Sequence, residues 1–195
     1  HKTQEQIEKI IETFNASGEL VLVTRVQKQK AEKLVQLFKT AKFHQDSRCL
    51  TVGDPMPVDP SFGEVVVLSG GTSDLAVAAE AQLALRWHGV KTRLILDIGV
   101  AGLHRLLSEL DGLKKSKVVI ACAGMEGALP TVLAGLIPQP VIGVPISVGY
   151  GVSSKGKAAL EGMLASCSPG LVVVNIDNGY GAAMAALRII KSAIL

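Results

Sequence analysis

The sequence predicts a doubly wound α/β domain with a parallel sheet, preceded by a small α+β unit. From Glu64 onward, short apolar segments alternate strictly with helix-length segments. The apolar segments lack polar alternation, which is typical of strands buried on both faces of a sheet. Hydrophobic residues make up 48% of the chain and aromatic residues only 4%, so Val, Leu, Ile and Ala must fill the core.

Residues 1–60 are predicted to form the α+β unit and a linker. Thr3 can cap the first helix, which runs to Phe14 and has one apolar face containing Ile7, Ile10, Ile11 and Phe14. The other predicted elements are a strand at 20–23, a helix at 31–38 and strands at 41–44 and 49–52. Residues 54–60 contain three prolines and are expected to be a stiff linker.

Residues 61–195 are predicted to form a nucleotide-binding domain with five parallel strands. The predicted strands are 65–68, 92–96, 118–121, 141–144 and 171–174, and the predicted helices are 74–88, 102–110, 127–136, 155–166 and 181–194. Ligands of such sheets bind outside the carboxyl ends of the strands, near the topological switch point. We therefore expect the site in the loops that follow the strands.

The bulk composition excludes several classes of protein. A net charge of +3, from scattered Lys and Arg residues, argues against nucleic acid as a partner. Three cysteines rule out a fully paired disulfide framework and suit a reducing, cytoplasmic compartment. The apolar runs are strand-length, so no membrane span is expected. The chain begins His1-Lys2-Thr3 without an initiator Met, which indicates a shortened amino terminus.

The first loop, Ser69-Gly70-Gly71-Thr72-Ser73-Asp74, is predicted to bind phosphate. It follows a strand and opens a helix, so its backbone N–H groups and the positive end of the helix dipole face a ligand. Its glycines permit close approach, and its hydroxyls can donate hydrogen bonds. Asp74 would repel phosphate unless it points to a ribose hydroxyl, a cation or the helix's own amides. The alternative is an ordinary N-cap and tight turn.

The second and third loops each contribute one carboxylate. Asp97 follows the second strand and is either an acceptor at the crevice or an N-cap. In the third loop, Gly124-Met125-Glu126-Gly127, Glu126 can hold a cation or move a proton, or it can simply complement a helix dipole. Cys122, at the end of an apolar strand, is interpreted as a core thiol.

The fourth and fifth loops offer an aromatic ring and polar side chains. Tyr150 lies between Gly149 and Gly151, where it can stack on a ligand ring or serve as a packing residue. The fifth loop places Asn175, Asp177 and Asn178 directly before a helix. Asn-Gly is also common turn chemistry, but this accumulation of polar side chains favours ligand contact.

Cys167 lies on the other side of the predicted topology. It follows a helix and precedes a strand, and such loops lie at the amino ends of the strands, away from the crevice. A helix C-terminus also disfavours a thiolate. His88 and His104 lie at helix ends without metal-ligand spacing and are interpreted as structural or surface residues, and no Cys/His cluster suggests zinc.

The order of these segments resembles the aminoimidazole ribonucleotide carboxylase/mutase superfamily, whose sheet is flavodoxin-like. The resemblance rests on Gly71-Thr72-Ser73-Asp74, on the loop from Gly124 to Pro130 and on the strand from Pro140 to Pro145. That superfamily carries its catalytic histidine in a Ser-Ala-His-Arg segment after the second strand. This chain has Asp97-Ile98-Gly99-Val100 instead, so purine carboxylation is not expected.

The motifs are more similar to those of the LarB-type family, pyridinium-3,5-biscarboxylic acid mononucleotide synthases of nickel-pincer cofactor assembly. The matching segments are Ser69–Asp74, Asp97–Gly102, Gly124–Pro130, Pro145–Gly151, Ser166-Cys167 and Val174–Gly179. Members of that family generally have further residues before the stretch that begins at Lys2. The resemblance implies carboxylation at C5 and hydrolysis of nicotinic acid adenine dinucleotide, with CO2 as co-substrate.

The same resemblance implies roles for individual residues. Cys167 matches the family's nucleophile, and Glu126 would assist proton transfer or contact a metal ion. The expected substrate contacts are Ser69, Gly70, Gly71, Thr72, Ser73, Asp74, Asp97, Gly124, Met125, Tyr150, Asn175, Asp177 and Asn178. No tightly bound cofactor is expected, although a divalent cation such as Mg²⁺ fits the hydrolytic step.

The expected position of Cys167, at the wrong end of the sheet, favours a site shared between subunits. The purine carboxylase relatives are octamers with sites at subunit contacts, so we expect a homo-oligomer, most simply an octamer. Two other functions remain open: a purine-type carboxylase or mutase, and a non-catalytic module that binds the dinucleotide without consuming it.

Overall fold

The computed structural model describes residues 2–194 and contains two β-sheets. The amino-terminal unit consists of α1 (Gln4–Ala16), β1 (Val21–Val23), α2 (Lys28–Leu37), β2 (Ala41–His44) and β3 (Cys49–Val52). Its three strands form an antiparallel sheet in the order β1-β3-β2. Thr3 caps α1 in a capping box with Gln6, as its position before the apolar pattern predicts.

The second sheet confirms the predicted α/β fold. Its elements are β4 (Glu64–Ser69), α3 (Leu75–Trp87), β5 (Lys91–Ile95), α4 (Leu103–Leu113), β6 (Val118–Ala123), α5 (Ala128–Leu136), β7 (Val141–Pro145), α6 (Lys157–Leu164), β8 (Leu171–Val173) and α7 (Gly179–Ser192). All five strands are parallel, in the order β5-β4-β6-β7-β8. The order reverses between β4 and β6, so the switch point lies between the first and third predicted loops.

Alternate residues of the central strands serve two separate cores. Val65 and Val67 of β4 pack with the apolar faces of α3 and α7. Val66 and Leu68 pack on the opposite side with residues of α4, α5 and α6. This alternation follows from the two-residue period of a strand, and it explains why the strands show no polar positions.

Three local predictions were inaccurate. α2 begins three residues earlier than predicted, at Lys28. α6 begins only at Lys157, because Lys155 and Gly156 adopt positive φ angles of 64° and 72° that end a preceding 3₁₀ segment. In α1, Ile7 and Ile11 are buried, whereas Ile10 and Phe14 remain 37% and 39% exposed, so the apolar face is narrower than predicted.

Within residues 2–194, no helix has the length and apolar character needed to cross a lipid bilayer.

Candidate active site

A cavity of about 400 Å³ opens where the loops after β4, β5, β6 and β7 meet. It lies at the carboxyl ends of the strands, as the fold predicts. The predicted site residues that line it are Gly70, Gly71, Ser73, Asp74, Gly124, Met125, Glu126 and Tyr150. Gly99, Val100 and Ala101 of the second loop line it as well, so four of the five predicted loops contribute to one site.

Glycines allow these loops to touch backbone to backbone. A Cβ atom on Gly99 would lie 2.6 Å from the carbonyl oxygen of Gly70. A Cβ atom on Gly124 would lie 2.6 Å from the carbonyl oxygen of Val148. Any side chain at either position would push the loops apart, so the small residues at the mouth define the shape of the cavity.

Asp74 closes the first loop on itself. Its Oδ2 accepts a hydrogen bond from the backbone N–H of Gly71 at 2.8 Å, and its Oδ1 accepts one from the Ser73 hydroxyl at 3.2 Å. Asp74 is only 3% exposed. Burial raises the pKa of its carboxyl above the ordinary value, although these hydrogen bonds oppose the rise. A ribose hydroxyl, a cation and the helix's own amides were considered as partners of Asp74. The structure shows a hydrogen bond from a backbone amide of its own loop.

We predict that Asp74→Asn flattens the pH dependence of stability. Because the pKa of Asp74 is raised above 3.8 in the folded state, the folded protein binds more protons than the unfolded chain between the two pKa values. The free energy of unfolding of the wild type should therefore fall as pH rises through that window. Asparagine cannot titrate, so urea unfolding from about pH 4 upward should show a shallower slope for the variant. An unchanged slope would contradict this account.

Three predicted contacts of the first two loops lie outside the cavity. Ser69 is fully buried, and its hydroxyl accepts a 3.4 Å hydrogen bond from the backbone N–H of Asp97. It therefore links the first two loops and is not exposed to a ligand. Thr72 is exposed, but it is not among the described residues that line the cavity. Asp97 accepts a hydrogen bond from Arg105. Of the two roles considered for Asp97, the N-cap role is wrong, because Gly99 and Gly102 occupy the cap positions.

Glu126 occupies the turn between β6 and α5. The residues on either side of it, Met125 and Gly127, have positive φ angles of 54° and 68°. This conformation is unfavourable for methionine, and such strain is typical of functional loops. Glu126 is exposed and lines the cavity, so its carboxylate is available to a ligand.

The charged side chains of the cavity are all acidic. Its charged side chains are the carboxylates of Asp74 and Glu126, and no Lys, Arg or His is present among the described residues that line it. Tyr150 lies at the rim with 77% of its surface exposed, which argues against the packing role considered for it. Negatively charged groups of a ligand would therefore depend on backbone N–H groups, whereas a cationic ring would be attracted by the carboxylates.

The fifth predicted loop lies in a different cavity. Asn175 and Asn178 line a space of about 370 Å³ together with Arg25 and Glu80. Asp177 does not line the first cavity; its Oδ1 accepts a 2.8 Å hydrogen bond from the backbone N–H of Ser147. The single crevice predicted for all five loops is thus divided into two cavities. The Asp177–Ser147 hydrogen bond links the fourth and fifth loops, which line the first and the second of them.

Arg25 and Glu80 were missed by sequence reasoning. Glu80 is 3% exposed, and its Oε1 accepts a 2.8 Å hydrogen bond from the backbone N–H of Tyr180. Its Oε2 lies 3.9 Å from Nε of Arg25. Another nitrogen of the same guanidinium, Nη2, donates a hydrogen bond to the Asp177 carbonyl. Burial raises the pKa of Glu80. A single acid within the apolar helix α3 was a signal in the sequence for this residue.

The three thiols differ sharply in exposure. Cys49 and Cys122 are buried, and burial raises the pKa of Cys49 to about 11 and that of Cys122 still further. The interpretation of Cys122 as a core thiol is confirmed. Cys167 is exposed.

The structure places Cys167 at the amino end of the sheet, as its position between a helix and a strand predicts. Gly170, in the same loop, accepts a hydrogen bond from the backbone N–H of Val141, at the start of β7. The cavity lies beyond the other end of this five-residue strand, roughly 15 Å away at the usual rise per residue. Within one subunit, Cys167 and the cavity therefore lie at opposite ends of the strands.

The histidines and metal-ligating groups add little to the site. A ring nitrogen of His88 bonds to the carbonyl of Ala84, and His104 is exposed on α4. Between Lys2 and Ile194, no group of three or more His, Cys, Asp or Glu side chains is arranged to hold a metal ion.

Comparison with known proteins gives matches to both parts of the chain. Residues 64–194 match a family model described as AIR carboxylase, and residues 1–54 match one described as LarB/PurE-like N-terminal domain. An uncharacterized protein of Methanocaldococcus jannaschii, MJ0165, is 43% identical over 152 residues, which are 77% of this chain and 58% of that protein. The chain therefore spans less than two thirds of this relative.

Two further relatives carry functional names. The N5-carboxyaminoimidazole ribonucleotide mutase of the same organism is 35% identical over 133 residues, covering 65% of this chain and 78% of the mutase. The crystal structure of PurE from Treponema denticola superposes with a TM-score of 0.54 and 20% identity, over 67% of this chain and 89% of that one. The latter likeness supports the fold.

Proposed function

The chain belongs to the AIR carboxylase family, a family of carboxylases and mutases, and from this premise we propose that it carboxylates nicotinic acid adenine dinucleotide. In this reaction CO2 is added at C5 of the pyridinium ring and the phosphoanhydride is hydrolysed. The products are pyridinium-3,5-biscarboxylic acid mononucleotide and AMP, and the reaction is the first step of nickel-pincer cofactor synthesis. The match of residues 1–54 to a LarB/PurE-like domain supports this choice within the family.

The observation that carries the proposal is the charge of the first cavity. A pyridinium ring is cationic, and the charged side chains of the cavity are the carboxylates of Asp74 and Glu126, beside the exposed ring of Tyr150. The purine-type reaction is disfavoured because the segment that holds the histidine in those relatives reads Asp97-Ile98-Gly99-Val100 here. In this chain, Asp97 is paired with Arg105.

The proposed carboxylation is redox-neutral. The thiolate of Cys167 forms a C–S bond beside the ring nitrogen, and an electron pair moves onto that nitrogen, which makes C5 nucleophilic. C5 then forms a bond to the carbon of CO2. Glu126 accepts the C5 proton, the C–S bond breaks, and the ring regains its aromaticity and positive charge. The net change at C5 is replacement of hydrogen by carboxylate.

The proposed hydrolysis uses the first loop. The backbone N–H groups of Thr72 and Ser73 would hold phosphate oxygens, because those of Gly70 and Gly71 already donate to Cys122 and Asp74. A water molecule then attacks one phosphorus atom, and AMP leaves with its phosphate. A divalent cation such as Mg²⁺ would neutralise charge on the phosphates during this step. Glu126 is the side chain of the cavity best placed to contact such an ion, because Asp74 is already engaged by its own loop.

The position of Cys167 requires a second subunit in this scheme. Since Cys167 and the cavity lie at opposite ends of the sheet in one chain, we propose that a neighbouring subunit supplies the thiol. A homo-octamer, as in the purine carboxylase relatives, is the assembly we expect.

Mass spectrometry tests the reaction directly. After incubation of the protein with nicotinic acid adenine dinucleotide, ¹³C-bicarbonate and Mg²⁺, the pyridinium mononucleotide should contain one added labelled carboxyl group, and AMP should accumulate. Recovery of bound but unaltered dinucleotide would instead identify a binding module. Turnover of aminoimidazole ribonucleotide without turnover of the dinucleotide would identify a purine-type enzyme.

A further inference from the structure

Two cavities meet at Arg25, where the amino-terminal unit faces the β8–α7 loop. The smaller, of about 370 Å³, is the one lined by Glu80, Asn175 and Asn178. The larger, of about 580 Å³, lies in the amino-terminal unit. Thr24 and Arg25 line both. Together they have the size of a nucleotide site, and neither belongs to the cavity that holds Glu126.

The larger cavity has the opposite charge to the first. Its charged side chains are Lys2, Arg25 and Lys30, all of them cationic. Ile7 and Leu22 contribute an apolar wall. A cluster of cations beside an apolar surface matches a ligand that combines a phosphate with a flat, weakly polar ring.

Helix α2 begins at this cavity and carries the wrong charges for an isolated helix. Gln27 occupies the N-cap position without a side-chain hydrogen bond, and the first turn contains no acidic residue. Lys28 and Lys30 lie there instead, and positive charge at a helix N-terminus is destabilising. A bound anion beside Lys30 would offset that cost.

Glu80 supplies a second kind of group, in the smaller cavity. It is almost completely buried, yet it lines the cavity. Its Oε1 is bonded to the backbone N–H of Tyr180, whereas Oε2 has Arg25 at 3.9 Å and accepts no hydrogen bond within the described residues. A ribose hydroxyl is a suitable donor for this oxygen, which can accept a hydrogen bond beside its ion pair with Arg25.

We infer that the two adjoining cavities bind the AMP half of the dinucleotide. The phosphate lies against Arg25 and Lys30, the base lies on the wall that includes Ile7 and Leu22, and a ribose hydroxyl donates to Glu80. This inference rests on the proposed function. The two halves of the substrate then bind in different cavities, with the pyridinium half in the cavity that contains Glu126. The hydrogen bond from Ser147 to Asp177 links the loops that line the two halves of the site.

Calorimetric titration of the full chain with AMP tests this site. Lys30→Gln and Arg25→Gln should each weaken AMP binding by about tenfold or more, because each removes a charge-assisted contact with phosphate. Lys33→Gln is the matched control: it changes the same charge on the same helix, but Lys33 is exposed and does not line the described cavity. Its affinity should stay within about twofold of the wild type.

The possible outcomes separate the inference from the proposed function. If the wild type consumes the dinucleotide but AMP does not bind, or binds equally well to all three variants, the inference is overturned and the function stands. If AMP binds and the Lys30 and Arg25 variants lose affinity, while the wild type leaves the dinucleotide unaltered, the nucleotide site stands and the proposed reaction fails. Lys30→Gln keeps the test valid should Arg25→Gln fail to fold, because Arg25 also anchors the Asp177 loop.

Discussion

Cys167→Ala should abolish carboxylation of nicotinic acid adenine dinucleotide, lowering the turnover number by on the order of 10⁴-fold or more. The thiolate is required to make C5 nucleophilic, and no other exposed thiol is available, because Cys49 and Cys122 are buried. The thiol–pyridinium adduct should disappear as well. Its loss can be followed by intact-protein mass spectrometry after the substrate has been added and the reaction quenched.

Cys122→Ala is the matched control for this experiment. Cys122 lies fully buried in the core between β4 and β7, and its raised pKa keeps the thiol protonated. The substitution should lower the free energy of unfolding by about 1–2 kcal/mol through lost packing and leave the adduct intact. Wild-type turnover in Cys167→Ala would refute the nucleophile assignment, and loss of the adduct only in Cys122→Ala would transfer the role to the buried thiol.

The fold and the first cavity were predictable because each depends on local pattern plus a general rule of parallel sheets. Apolar segments without polar alternation located β4, β6 and β7. The carboxyl-end rule then placed Gly70, Glu126 and Tyr150 in one site, and the structure brings all three to one cavity. No long-range contact had to be known for this step.

The second cavity was not predictable in the same way. It depends on Arg25, which lies 152 positions before its hydrogen-bond partner Asp177. The sequence predicts two separate units here, and nothing in either pattern indicates that a residue of the small unit would contact the β8–α7 loop. Asp177, which is predicted to contact the substrate, accepts a hydrogen bond from the backbone N–H of Ser147, 30 positions before it. Both contacts join residues that are far apart in the sequence, so local sequence patterns do not indicate them.

Mixing two inactive variants tests whether the active site is shared between subunits. Cys167→Ala retains Glu126, and Glu126→Gln retains Cys167 but should lose about 10²–10⁴-fold in turnover. If one subunit supplies the thiol and its neighbour the carboxylate, co-expressed hybrids carry some sites with both groups. With random assembly, about a quarter of the sites are complete, so turnover should recover to about a quarter of the wild-type value. Differently tagged chains allow the hybrids to be purified before the assay.

The double variant Cys167→Ala/Glu126→Gln is the control for assembly. Its hybrids with Cys167→Ala contain no cysteine at this position, so they should remain inactive although they form the same oligomer. If verified hybrids of the two single variants also remain inactive, the thiol and the carboxylate act within one chain. Cys167 would then have to cross the length of β7 by a rearrangement of the loop that now bonds to Thr131 and Val141. A monomer with full activity in light scattering would require the same conclusion, whereas recovery in the hybrids would show why a nucleophile can lie at the opposite end of the sheet from the cavity it serves.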